Sequence, residues 1–118
     1  WQAATRQWPQ SFHAWMTLGN NRYAVDDFDS AIMAFRQASR IAPDKPAGWN
    51  NIAYALLDAQ CPQQALQAVD CATRLAPGNK QVLETAAEIR QRAVGTDATH
   101  CRAVSCNTGT AKDHSPTP

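Results

Sequence analysis

The residues able to do chemistry are few: Cys61, Cys71, Cys101 and Cys106, with His13, His100 and His114. A thiolate nucleophile needs a base held against it and donors for the developing oxyanion, and His100 and Cys101, adjacent in the chain, form no such arrangement. A zinc site built from His100, Cys101 and Cys106 would combine adjacent ligands with a C-x4-C spacing, a poor match to ordinary zinc motifs. There is no Walker loop, dinucleotide fingerprint or zinc-protease motif. The expectation is therefore a stretch that is not an enzyme by itself, with no catalytic residue, no metal and no cofactor. An even number of cysteines fits disulfides instead.

Composition narrows the partners. The 118 residues are 44% hydrophobic and 18% charged, with eleven basic and ten acidic side chains and a formal net charge of +1. No cluster of Lys or Arg offers a phosphate-tracking stripe or a polybasic membrane patch, which argues against nucleic acid and against a membrane surface. No apolar run approaches membrane-spanning length. Asn107-Thr108-Gly109 misses the glycosylation signal, and a signal peptide would lie upstream of Trp1.

The elements that position these residues announce themselves by a period. Trp15 and Trp49 stand thirty-four residues apart, and at the same interval Leu18-Gly19 is matched by Ile52-Ala53, Ala31 by Ala65, Ala38 by Ala72 and Pro43 by Pro77. A unit of this length cannot bury its own apolar face, so neighbours must stack, leaving a long concave surface. The pattern resembles the tetratricopeptide repeat family, an all-α fold of antiparallel helix hairpins stacked as a short solenoid. Residues 12–45 supply Trp15, Leu18, Gly19, Ala31, Phe35, Ala38 and Pro43; residues 46–79 keep Trp49, Ala65, Ala72 and Pro77 but place Leu56 and Val69 where the family prefers Tyr and Phe. Trp15 and Trp49 occupy the family's packing position and are expected in the core.

Running the period backwards makes residues 1–11 the closing helix of a truncated preceding repeat, and with no initiator Met the chain reads as an excerpt of a larger protein. Running it forwards predicts a helix over Lys80 to Val94 that covers the open end of the stack, then a short helix capped by Asp97 with Thr99, Ala103 and Cys106 packing inwards, so that 80–106 forms a capping helix and degenerate half-repeat. Residues 107–118 have no large apolar side chain and are expected to be a mobile tail. Asp27 should cap the helix of Ala31 and Phe35, Asp44 and Pro46 should frame the helix of Trp49, and Pro62 should mark the next corner. Pro43-Asp44 and Pro77-Gly78-Asn79 should close the second helices, Gly or Asn tolerating a left-handed cap.

The resemblance implies a protein or extended peptide partner, held in the groove lined by the first helix of each repeat. There it would present His13, Met16, Thr17, Asn20, Tyr23 and Ala24, then Ala47, Asn50, Asn51, Tyr54, Leu57 and Asp58, then Gln81, Glu84, Thr85, Glu88 and Arg92. Asn20 and Asn51 can donate to and accept from a peptide backbone, and Met16, Tyr23, Tyr54 and Leu57 offer apolar contact; equally, the amides can simply bond neighbouring helices. Family members that grip an acidic chaperone C-terminus use two Asn with Lys and Arg. Here Met16, Gln81 and Thr85 stand where the cations belong, which argues against that ligand, while Glu84 and Glu88 suit a neutral or mildly basic one.

Tetratricopeptide units do not need cysteines, and Cys61 at a corner and Cys71 on a commonly polar position would be reactive surface thiols if free. About ten residues of helix hold these two more than ~10 Å apart, too far to bridge. If the segment from Thr99 stacks parallel to the helix of Cys71, chain order favours Cys61 with Cys101 and Cys71 with Cys106, which implies the periplasm or secretion; a reduced cytosolic scaffold is the alternative. The stretch from Trp49 to Leu57, with Cys61-Pro62 and Cys71-Ala72, also resembles the repeat region behind some bacterial papain-like, bacteriocin-processing-type cysteine peptidases. That implies a non-catalytic accessory domain of an exported enzyme.

Overall fold

The computed structural model describes residues 11–102 and 104–106. Five helices follow one another: α1 (Phe12–Ala24), α2 (Phe28–Ile41), α3 (Pro46–Asp58), α4 (Pro62–Leu75) and α5 (Lys80–Arg92). The starts of α1, α3 and α5 fall thirty-four residues apart, as do those of α2 and α4. Helices pack as successive hairpins, α1 with α2, α2 with α3, α3 with α4 and α4 with α5. The fold is all-α, consistent with a tetratricopeptide array. The expected closing helix at 1–11 and the tail at 107–118 lie outside the described residues, apart from Ser11.

Local chemistry sets the helix ends. Ser11, Asp27 and Asn79 each accept a backbone N–H three residues on, from Ala14, Ser30 and Val82, satisfying donors that the first turn leaves free. Pro46 and Pro62 occupy the first turns of α3 and α4, where no N–H is missed. Asp44 does not frame α3: its N-cap is Lys45, which makes no side-chain cap bond. Nor does a left-handed residue close α2 or α4. Among the described residues, the left-handed positions other than glycine are Asp26 (φ 63°) and Gln60 (φ 68°), at equivalent corners inside the hairpins. There the chain reverses tightly, with Asp27 N–H donating to Arg22 O at 2.9 Å and Cys61 N–H to Leu56 O at 2.8 Å.

Interlocking side chains fix the hairpin spacing. A Cβ on Gly19 would lie within 2.9 Å of three ring carbons of Phe35, which is 1% exposed. One repeat later, both members change: Ala53 replaces the glycine and Val69 the phenylalanine, and both are fully buried. The added methyl is accommodated by the smaller partner. Gly48 is small for a similar reason, since a Cβ there would overlap Ser39 Oγ, joining the start of α3 to α2. Trp49 is buried as expected, whereas Trp15 is half-buried and packs on the edge of the core.

Among the described residues, no further helix follows α5. Gly95 turns at φ 88°, and residues 96–102 and 104–106 form an irregular strap. Instead of extending the stack, the strap folds back over the corner between α3 and α4, where Ala98 N–H donates to Gln60 O at 3.1 Å. Disulfides join Cys61 to Cys101 and Cys71 to Cys106, with Cα separations of 5.7 and 5.3 Å. The two bridges explain the missing helix: ten residues of α4 rise ~15 Å between their anchors, while five strap residues cover ~16 Å only when extended and about half that as a helix. Asp97 accordingly caps no helix of its own; its Oδ1 accepts from Gln63 N–H at 2.7 Å, at the start of α4. Cys61 and Cys71 are buried by this arrangement, each 1% exposed, rather than surface thiols.

The paired change at the hairpin contacts gives a direct test. Gly19→Ala should destabilise the protein by about 1–3 kcal/mol through overpacking. In the Phe35→Val background the same substitution should cost much less, and a double-mutant cycle from urea unfolding measures the coupling.

Candidate functional site

The face shared by α1, α3 and α5 carries most of the expected groove residues, and their side chains bond to one another from repeat to repeat. Asn51 Nδ2 donates to Asn20 Oδ1 at 3.3 Å. Tyr54 donates to Glu88 Oε1 at 2.6 Å, and Tyr23 donates to Asp58 Oδ2. Arg92 then joins the two tyrosine pairs, donating to Asp58 Oδ1 at 3.4 Å and to Glu88 Oε2 at 3.3 Å. The result is one chain of contacts, Tyr23 to Asp58 to Arg92 to Glu88 to Tyr54, beside the amide pair. Its ion pairs are partly exposed and individually worth little, so what they supply is alignment.

Between the ladder's members lies a cavity of about 120 Å³ lined by Asn20, Tyr23, Phe35, Asn51 and Tyr54. Phe35 comes from α2, so the ring that seats against Gly19 also lines this cavity. Leu57 is half-buried, and Glu84 and Glu88 are exposed on α5. Met16 and Asn50 differ: they occupy the same repeat position and are 9% and 6% exposed, inside the packing rather than displayed. Glu84, one period further on, is exposed because α5 has no following hairpin among the described residues. Asn50 Oδ1 is buried without a hydrogen-bond partner. Sequence reasoning named Asp58 and Arg92 as groove residues but missed that they link the two tyrosine pairs; the signal is positional, since Ala24, Asp58 and Arg92 are period equivalents.

The electrostatics follow from this wiring. Burial and then the bond to Asp58 push the Tyr23 phenol up to about 12. Tyr54 is raised by burial and by its bond to Glu88, and the same bond, with Arg92, lowers the Glu88 carboxyl. Cys61, His100 and Cys101 also converge, with donor atoms within 4.8 Å of one another, but the two sulfurs are joined to each other in a single disulfide, and His100 Nε2 donates to Ala59 O at 3.0 Å. No described helix is long and apolar enough to cross a membrane.

Because the Tyr23 phenol ionises near 12 when folded and near 10 when unfolded, the native state holds more protons between these values. The stability it contributes is complete below pH ~10 and is lost as pH rises through 12. Phenolate absorbance should show both tyrosines titrating above the ordinary range, and Asp58→Asn should move Tyr23 part of the way back towards 10, leaving the contribution of burial.

No family model matches the chain. A TPR repeat-containing protein of Picosynechococcus is 33% identical over 67 residues, covering 57% of this chain and 17% of that protein. The peroxisomal targeting signal receptor of Eremothecium gossypii is 37% identical over 60 residues, covering 51% of this chain and 10% of the receptor. The chain thus spans less than a fifth of either relative. Recurrent helices, small residues at the hairpin contacts and these two matches agree: over about half its length, the chain is weakly homologous to tetratricopeptide-repeat proteins.

Proposed function

We propose that the face of α1, α3 and α5 binds an extended segment of a protein partner. Repeat regions of this type are generally protein-binding modules, and one relative is a receptor for a targeting signal. The observation that carries the reading is the amide pair over the cavity: Asn20 is exposed, Asn51 half-buried, and their single bond is long at 3.3 Å. Each amide retains donors and acceptors that a peptide backbone can use, so an extended chain can be held with little reading of its sequence. Tyr23 and Tyr54 add apolar contact, and are held in place by Asp58 and Glu88 rather than free to collapse.

Glu84 and Glu88 at the α5 end favour a neutral or mildly basic segment, and Met16, Gln81 and Thr85 supply no cation for a terminal carboxylate. Arg92 is already engaged by Asp58 and Glu88. The two disulfides support an oxidising setting, the periplasm or the exterior.

A displayed library of random peptides, selected on the oxidised protein, tests this. Recovered peptides should be neutral or basic and should lose at least tenfold in affinity for the Asn20→Ala, Asn51→Ala double variant while its helical circular dichroism is unchanged. Peptides that bind wild type and variant alike would place recognition elsewhere.

A further inference from the structure

Between α2 and the strap lies a larger cavity, of about 470 Å³, lined by Asp29, Ile32, Met33 and Arg36 of α2, Leu56 and Ala59, and Cys61, His100, Cys101 and Arg102. This is the size range of small-molecule sites. Its apolar lining includes Ile32, Leu56 and Met33, the last 69% exposed on α2. The Cys61–Cys101 bridge forms another part of the wall and carries Arg102 to the opening.

Charge is out of balance here. The described ion pairs are Arg90 with Asp70, and Arg92 with Asp58 and Glu88; neither Arg36 nor Arg102 takes part in one. Arg36 is half-buried, and its own burial and the nearby Arg40 and Arg102 all disfavour its charge. Against these cations the cavity holds one carboxylate, Asp29, which makes no ion pair with them. A guanidinium partly removed from water without a counter-charge is costly, and an oxyanion is the partner its planar fork fits, through two parallel N–H bonds.

We propose that this cavity binds a small molecule with an apolar body and a carboxylate or phosphate head, the head held by Arg36 and Arg102 and the body lying on Ile32, Met33 and Leu56. The site depends on the strap. His100 is fixed to Ala59 O and Cys101 to Cys61, so the neighbouring Arg102 reaches the cavity only while the bridge holds the strap against the corner.

Calorimetric titration of the oxidised full chain with octanoate, octyl phosphate, 1-octanol and inorganic phosphate tests the proposal. Octanoate or octyl phosphate should bind at least tenfold tighter than 1-octanol, and the tighter of the two identifies the head group. Arg36→Met, which keeps the apolar stem, should remove that advantage; Arg102→Gln should reduce it several-fold, and Arg90→Gln on α5 should leave it unchanged. The Cys61→Ser, Cys101→Ser double variant should also lose the advantage while retaining helix. Equal binding of octanoate and 1-octanol, saturable binding unaffected by Arg36→Met, or no saturable binding of any of the four compounds would each overturn the assignment.

Discussion

The contact between Phe35 and Gly19 is the constraint from which the rest of the structure follows. The ring sits where any side chain on Gly19 would be, so α2 packs against α1 at close range. α2 in turn packs on α3, with Gly48 over Ser39 closing the second contact. Thus α1 and α3 are placed through the helix between them, at a separation across which Asn20 and Asn51 meet. The same ring lines the cavity beneath those amides, so core packing and candidate site share one side chain. Burying a phenylalanine contributes about 1.5–3 kcal/mol; its greater consequence here is register.

Beyond α5, covalent bonds replace repetition. A strap without regular structure cannot be held by a hydrophobic stripe, and this one is fixed by two bridges closing segments of 40 and 35 residues. On the chain-entropy account such a bridge stabilises by about 4 kcal/mol, though interleaved bridges do not simply add. Asp97 and Gln63 add a second attachment at the start of α4. The strap therefore closes one cavity wall while leaving the face of Asn20 and Asn51 open.

Much of this was legible in the sequence because it is periodic. Trp49, Ala31, Ala65, Ala38 and Ala72 declare the hairpins, and Asp27 and Pro62 mark their starts. What was not legible depends on contacts between distant segments. Nothing local marks Gln60 as left-handed, since no glycine is there. Asp97 looks like the cap of its own helix because its true partner, Gln63, lies thirty-four residues away. Met16 and Asn50 share a groove position with Glu84, yet are buried by hairpins that α5 lacks among the described residues. Arg36 and Arg102 are unremarkable in the chain, and acquire meaning only when the Cys61–Cys101 bridge brings the strap to α2.

On the proposed function, the helix face of Asn20, Asn51 and Tyr54, rather than the opposite side, meets the partner. Photo-crosslinking in the native compartment tests it most directly, with benzoylphenylalanine placed at position 51 in one protein and at the exposed position 33 on α2 in another. A discrete crosslinked partner is expected from position 51 and none from position 33, with the crosslinked residues forming one continuous extended segment. Crosslinks from position 33 alone would contradict it.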